Sequence, residues 1–381
     1  MDANGKRSTA VLAASAALFA SSAAASETSQ SAIVVTGERA SRTLLETPSS
    51  VTVVNHDDLE THAGADRLDQ ILTGIPNVQL GSGGEGPTIR GQDSTGVLRD
   101  LPAFLGGTRP RVTLQVDGRP ISYNELAFGI SGLWDLAQIE VFRSPQTTTQ
   151  GRNAIAGAIF IETQDPTFDW QGRLRMAAGN YAARQASAAV SGPLIADQLA
   201  LRIAGDIRRN NTTTSMTSAA SGADANRDKY ELLRVKLVAR PIGIPSLKLT
   251  GTYTHTSSVT PQIEGLRPPY RARRDGTATY GIFSTNVDSL TLRADYPLTD
   301  GLTAKATGWL GAAHIRRFAP PGFGESDNDA SDRGGELILT ARPSTGLTVT
   351  LGTNVACRSS PGRSSTCGER RMAMTVTLCP V

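Results

Sequence analysis

Apolar and polar residues alternate along the chain from about residue 171 onward, in short segments separated by turns. In one segment, Leu199, Leu201 and Ile203 alternate with Ala200 and Arg202. The same period of two recurs at 233–237, 247–253, 290–296, 302–310, 337–341 and 347–351. This period predicts β-strands with one apolar and one polar face. Tight turns at 298–301 and 343–346 alternate with long polar loops at 210–227 and 257–287. That arrangement is typical of an outer-membrane barrel.

A soluble β-sandwich is the alternative, because its strands also alternate and its wet outer face accepts arginine and lysine. Long loops on one side and an exported chain favour the barrel. About nine strands fit between residues 171 and 355. We therefore predict antiparallel transmembrane β-barrel strands over 166–356, forming an incomplete barrel.

The region from 47 to 165 has a mixed pattern and predicts an α+β domain. Strands are predicted at 49–54, 111–116, 139–142 and 158–163, with one helix at 57–72. Asp57 and Asp58 favour the start of that helix, and Gly74-Ile75-Pro76 ends it. Asp117-Gly118 predicts a turn directly after a strand.

The first residues predict a secretory signal peptide. Lys6 and Arg7 precede an apolar run at 10–20 and a small-residue site at 23–25, so we predict cleavage after Ala25. The alternative is a buried N-terminal helix. No later run reaches the roughly 18 apolar residues of a membrane helix. The sequence therefore predicts an exported protein that is not an inner-membrane protein.

Charge and cysteine separate the C-terminal tail from the rest. The chain of 381 residues has 38 Lys+Arg and 35 Asp+Glu, and no run of basic residues, so nucleic acid is not predicted as a partner. Residues 357–381 contain four arginines and one glutamate, which equals the net charge of +3 of the whole chain. The three cysteines (Cys357, Cys367 and Cys379) also lie there.

Six segments of the first 165 residues resemble the plug domain of TonB-dependent outer-membrane receptors, in that family's order. Five of them are 47–54, 68–78, 89–91, 116–120, and 139–145 followed by 151–161. The sixth resembles the TonB box and consists of Ile33, Val34, Val35, Thr36 and Gly37. Ser144 departs from the family, which usually has glycine between the arginine and the proline of this motif.

The resemblance implies a plug lodged in a 22-stranded barrel of the outer membrane, surrounded by its lipid. It also implies energised import of a scarce ligand, with a ferric siderophore first and cobalamin, nickel complexes or oligosaccharides as alternatives. TonB, the periplasmic partner, would pull on the TonB box by strand addition. Arg90, Glu140 and Arg143 are the implied plug–barrel contacts. An ordinary ion pair at a strand end is the alternative role for Glu140 and Arg143.

These signals divide the chain into a signal peptide (1–25), a TonB-box segment (26–46), a plug (47–165), barrel strands (166–356) and an atypical tail (357–381). Nine strands are fewer than the family's barrel needs, and the strand period stops after Val355. We hypothesise a truncation by frameshift with an out-of-frame tail. A genuine short variant and an assembly of several chains are the alternatives. At the level of function, the alternatives to a receptor are a plug-only binding or signalling module and a non-functional fragment.

Three other patterns are weaker. Residues 81–86 satisfy G-x-G-x-x-G, but the strand predicted after them argues against a nucleotide site. His56, Asp57, Asp58, Glu60 and His62 cluster in sequence but point in different directions from a helix, so no metal site is predicted. Arg267, Arg271, Arg273 and Arg274 with Tyr270 would attract an anionic ligand, with solvated loop charge as the alternative. No enzyme activity and no cofactor are predicted.

Overall fold

The computed structural model describes residues 34–378 with gaps. The gaps are 36, 38–41, 45–46, 48, 63–65, 81–85, 93, 95–110, 123–124, 127–128, 130–131, 147–153, 215–221, 262–265, 276–280, 321, 323, 345–346, 361–362 and 368–370. Only the backbone is described for 34, 42, 275, 344, 360, 363–367 and 371–378. The predicted signal peptide lies outside the described residues.

The plug is built around a five-stranded sheet whose order is β3-β8-β9-β6-β7. Its strands are β3 (Val51–Asn55), β6 (Val112–Val116), β7 (Arg119–Pro120), β8 (Leu136–Phe142) and β9 (Gly157–Thr163). β6 and β9 pair in parallel and the other neighbours pair antiparallel. Two further two-stranded sheets join β1 (Val34–Val35) to β2 (Arg42–Thr43) and β4 (Val78–Leu80) to β5 (Pro87–Ile89).

The helix predicted at 57–72 is instead two short helices, α1 (His56–Thr61) and α2 (Leu68–Thr73). Asn55 and Asp58 form a capping box at the start of α1, which satisfies two backbone N–H groups. Gly64 lies between the helices in sequence, and glycine in a helix interior costs about 1 kcal/mol relative to alanine. Buried leucines and isoleucines of both helices pack with those of β6, β8 and β9 into one core.

A second, antiparallel sheet contains eleven strands in the described part of the chain. They are β10 (Gln171–Ala178), β11 (Arg184–Ile195), β12 (Leu199–Asn211), β13 (Arg227–Ala239), β14 (Lys248–Pro261), β17 (Ile282–Thr299), β18 (Leu302–Phe318), β19 (Ser326–Ser344), β20 (Leu347–Ser360), β21 (Arg363–Cys367) and β22 (Arg371–Leu378). A small hairpin of β15 (Leu266–Arg267) and β16 (Arg274–Asp275) encloses a 3₁₀ turn at Tyr270–Ala272. The sheet is open, because β10 pairs only with β11 among the described strands.

Nine strands precede the tail, as predicted, but the tail continues the sheet. β20 extends to Ser360, and both β21 and β22 pair with it. Residues 357–365 lack the strand period, and backbone hydrogen bonds can pair such a segment with an open strand edge. In β22, however, Met372, Met374, Val376 and Leu378 alternate with smaller or polar residues, a strand signal that the sequence analysis missed. Cys357 is disulfide-bonded.

The burial pattern of the large sheet is the reverse of that in a soluble sandwich. On β12, Ile203 and Ile207 are 38% and 49% exposed, whereas Arg202 and Asp206 are 7% and 0% exposed. The polar face therefore packs on the plug and the apolar face points outward. That inversion is expected of a barrel wall in lipid, and the sandwich alternative is wrong. No helix among the described residues has the length and apolar character needed to span a bilayer.

Candidate functional site

The segment that resembles a TonB box is folded back onto the plug. Val34–Val35 pairs antiparallel with Arg42–Thr43. The Val35 side chain is 1% exposed and lies in a cluster with Phe142 and Phe160 of the plug sheet. The two phenyl rings meet edge to face with centroids 5.5 Å apart. Burying one valine contributes about 1.5–3 kcal/mol, so this contact holds the segment on the plug.

Gly37 provides a second, polar contact. Its N–H donates to Glu140 Oε2 at 2.8 Å, and both residues are buried. A Cβ atom at position 37 would come within 2.6 Å of ring carbons of Phe142 and Phe160, so only glycine fits here without rearrangement. Ile33 and Thr36, predicted for the same segment, lie outside the described residues.

The residues predicted to connect plug and barrel have other contacts in the structure. Glu140 also accepts a hydrogen bond from Gln138 Nε2 at 2.7 Å. Arg143 donates to the carbonyl oxygen of Pro76 at 3.3 Å. Arg90 is exposed, at a turn with φ +50°. These contacts lie within the plug and its N-terminal segment, and a plug–barrel role for the three residues stays a prediction.

Ion pairs that the sequence analysis did not name connect the plug to the large sheet. They are Glu60–Arg173, Asp66–Arg208, Arg67–Asp228, Arg119–Asp332, Asp135–Arg202, Glu162–Arg293 and Asp165–Lys248. In most of them the basic residue belongs to the sheet, on the face that alternates with the apolar positions. The sequence showed arginine and lysine at the polar positions of these strands. It did not show which plug carboxylates pair with them.

Lys236 of β13 is a further cation that connects the sheet to the plug, and it is more buried than the cations of those seven pairs, at 2% exposed. Its Nζ donates to the carbonyl oxygen of Thr163 at 3.0 Å and lies 2.9 Å from Asp165 and 3.6 Å from Asp117. Burial raises the pKa of Asp117, but Lys236 and the N–H of Thr163 outweigh it and lower the pKa below 3.8. Burial also raises the pKa of Asp165, but Lys236 and Lys248 outweigh burial and hold this pKa well below its ordinary value. Both carboxylates are therefore ionised at neutral pH.

Arg119 forms a second anchor between the plug and the large sheet. Its guanidinium makes two hydrogen bonds to Glu125, at 3.0 and 3.1 Å, and two to Asp332 of β19, at 2.5 and 3.2 Å. Burial lowers the pKa of Arg119, but the two carboxylates outweigh this and raise it. Asp117 and Gly118, with φ of +48° and +85°, form the predicted turn that positions Arg119.

Trp134 joins the plug to β10 and β11. Its Nε1 donates to the carbonyl oxygen of Ala188 at 3.1 Å. The guanidinium groups of Arg173 and Arg175 lie 4.9 and 4.8 Å from the ring centroid. The indole is 2% exposed, and the two arginines add cation–π attraction.

The residues considered for a metal site serve other purposes. His56 contacts the carbonyl oxygen of Leu136 and an Arg173 nitrogen, and Glu60 pairs with the same arginine at 2.6 Å. Asp58 caps α1. The described part of the chain has no group of three His, Cys, Asp or Glu side chains placed to hold a metal ion.

Two patterns remain, the glycine-rich segment at 81–86 and the arginines between 267 and 274. Of the glycine-rich 81–86, only Gly86 is described, and the strand β5 follows it as expected. Among the loop arginines, Arg267, Arg271 and Arg274 are exposed. Arg273 instead donates to the carbonyl oxygens of Thr212 and Thr213 and lies over the Tyr181 ring at 4.6 Å. It therefore fixes the loop.

Comparison with known proteins agrees with this architecture. Residues 43–158 match the TonB-dependent Receptor Plug Domain family. The ferrioxamine B receptor of Salmonella typhimurium is 30% identical over 171 residues, which cover 43% of this chain and 22% of that receptor. The iron-regulated outer membrane virulence protein of Vibrio cholerae is 29% identical over 203 residues, which cover 49% and 29%. The chain thus spans about a quarter of the length of these relatives.

Solved structures with the same fold extend the likeness beyond the plug. The ferric yersiniabactin uptake receptor of Yersinia pestis superposes with a TM-score of 0.63 at 18% identity, covering 86% of this chain and 61% of that one. A Pseudomonas aeruginosa FpvA–pyoverdine complex gives 0.66 at 14% identity, covering 90% and 46%.

A plug-like domain packed against the polar face of an antiparallel sheet, with the apolar face exposed, is the fold of the outer-membrane receptors matched here. Residues 43–158 match the plug domain of TonB-dependent receptors, and the strands that follow have the fold of N-terminal barrel strands. The matched proteins are receptors and not enzymes, in agreement with the sequence analysis.

Proposed function

We propose that this chain takes part in TonB-energised uptake of a scarce ligand across the outer membrane. The observation that carries the proposal is the TonB-box segment, in which Val35 and Gly37 are docked on the plug sheet. A short β-strand that pairs with one other two-residue strand is suited to exchange its pairing for a strand of TonB. The plug–sheet ion pairs then connect that segment to the barrel wall.

A ferric siderophore is the proposed ligand. Ferrioxamine B appears in the name of one relative and ferric yersiniabactin in that of one structural neighbour. Cobalamin is the second candidate, because the vitamin B12 transporter of Vibrio vulnificus is also a relative, 29% identical over 160 residues.

Binding of TonB tests the partner. The purified chain in detergent is titrated with the periplasmic domain of TonB, and binding is measured calorimetrically. Val35→Pro should abolish binding because proline has no N–H for strand pairing, whereas the matched control Val35→Thr retains both the N–H and β-branching. Equal affinities for the two variants would refute strand addition at this segment.

Growth under iron limitation tests the ligand. A strain that lacks this gene should grow poorly with a chelator present, and a copy of the gene should restore growth. Unchanged growth would argue against siderophores and move the test to cobalamin. A heat-modifiable band in outer-membrane fractions should accompany restored growth, and its absence would favour a non-functional fragment.

A further inference from the structure

A small cavity separates the plug from the wall formed by β14 and β17. Its volume is about 100 Å³, enough for about three water molecules. The wall side is lined by hydroxyl groups of two neighbouring strands, including Thr252, Thr254, Thr256, Thr285, Ser289 and Thr291. Hydroxyl groups both donate and accept hydrogen bonds, so this wall suits a polar occupant.

Arg234 is the cation at this cavity whose guanidinium N–H groups are incompletely hydrogen-bonded within the described residues. Its side chain lines the cavity and is 5% exposed. One guanidinium nitrogen lies 3.4 Å from each of the carbonyl oxygens of Trp134 and Asp135, which is long for a hydrogen bond. Its Nε has no hydrogen-bond partner among the described residues. A buried guanidinium donor without an acceptor is unfavourable, so the geometry calls for an acceptor from outside the chain.

The other charged groups around the cavity are already paired. Arg119 is paired with Glu125 and Asp332. Asp117 accepts hydrogen bonds from the N–H and the hydroxyl of Thr163. Arg234 is therefore the charged residue of this cavity that an occupant with oxygen acceptors would bind.

Among the described residues, the stretch of the β14–β17 wall that lines this cavity makes no ion pair with the plug. Ion pairs from β12 and β13 reach the plug at Arg202, Arg208 and Lys236. On β14 and β17, the plug's ion pairs within the described residues are those of Lys248 and Arg293, near the short-turn ends of the strands. Between those ends and the loops, the wall offers hydroxyl groups in place of charges.

We propose that this cavity is a binding subsite for a carboxylate or a similarly small oxyanion group of a solute passing between the plug and the β14–β17 wall. The Arg234 guanidinium and the threonine hydroxyl groups donate to its oxygens. The passage rests on the uptake function proposed above. The binding needs neither TonB nor energy, so the two proposals fail separately.

The test uses Thr254→Cys, because Thr254 pairs directly opposite Arg234 across β13 and β14. The full chain in detergent reacts with an anionic or a cationic methanethiosulfonate reagent, and peptide mass mapping follows the label at position 254. The anionic reagent should be preferred by about ten-fold, since a unit charge acts over a few ångströms in a poorly screened site. Acetate should slow the reaction relative to chloride at equal ionic strength.

Two Arg234 variants and one matched position complete the design. Arg234→Gln should remove both the anionic preference and the acetate effect, while Arg234→Lys should retain the preference and report that folding is intact. Thr340→Cys, half-buried on β19 and outside the cavity lining, should show neither effect. Equal rates for the two reagents at position 254, or an acetate effect that persists in Arg234→Gln, would overturn the proposal and leave a cavity filled by water.

Discussion

Replacing Glu140 by alanine should release the TonB-box segment from the plug. The substitution removes the carboxylate that accepts the Gly37 N–H at 2.8 Å, inside a site where Glu140 is 0% exposed. A hydrogen bond to a charged group contributes about 1.5–3 kcal/mol. The undocked population should therefore rise by about ten-fold to about a hundred-fold, because about 1.4 kcal/mol corresponds to a factor of ten.

Hydrogen exchange of the segment measures that population. Exchange of the Val35 and Gly37 amides, followed by mass spectrometry of the peptide that contains them, reports the free energy of local opening. The buried Val35 side chain still contributes about 1.5–3 kcal/mol in the variant, so the segment should open more often without unfolding the plug. Core amides of β8 should keep their protection.

Glu60→Ala is the matched control, since it removes a plug carboxylate that pairs with Arg173 at 2.6 Å but is partly exposed. It should leave exchange of the segment unchanged. If Glu140→Ala and Glu60→Ala give the same exchange at Gly37, Glu140 does not hold the segment, and the apolar contact alone accounts for its position.

Two further predictions concern the charges between plug and wall. Asp135→Asn leaves the 7%-exposed Arg202 without its carboxylate and should lower the free energy of unfolding by about 3–5 kcal/mol, measured by urea denaturation with tryptophan fluorescence. A loss below about 1 kcal/mol, the value of an exposed pair, would contradict a buried pair here. The folded-state pKa values of Asp117 and Asp165 lie below 3.8, so their contribution to stability is present above that pH and is lost as pH falls through the folded-state values. The free energy of unfolding from the same urea titration should be constant from about pH 7 to about pH 5 and should fall below about pH 4. A midpoint of this loss near about pH 6 would refute the assignment.

The alternation of residues was enough to predict the barrel strands. Nine strands precede the tail, and the predicted tight turn at 298–301 joins β17 to β18. The loop predicted at 257–287 is shorter than expected, because β14 extends to Pro261 and β17 begins at Ile282. A period of two is a local property, and it needs no knowledge of partners. The plug motifs within residues 43–158 were equally readable, and the family match there confirms them, whereas the TonB box at 33–37 stays a prediction.

Local pattern failed where an element depended on its neighbours. The predicted helix at 57–72 is two helices, because backbone hydrogen bonding and packing outweighed the local pattern. Residues 363–367 of the tail show no apolar period and still pair with β20, whereas the alternation at 372–378 is a strand signal that the sequence analysis missed.

The fold alone determined which plug carboxylate pairs with each arginine or lysine of the sheet. Arg202, Lys236 and Arg293 were recognisable in the sequence as polar-face residues. The carboxylates that pair with them lie on the plug, 67 to 131 positions earlier in the chain. Which face of the strands is buried was also decided there, because the plug covers the polar side of the sheet and the apolar side is left for lipid. A strand pattern states that two faces differ, and only the packing of one domain against another determines what each face meets.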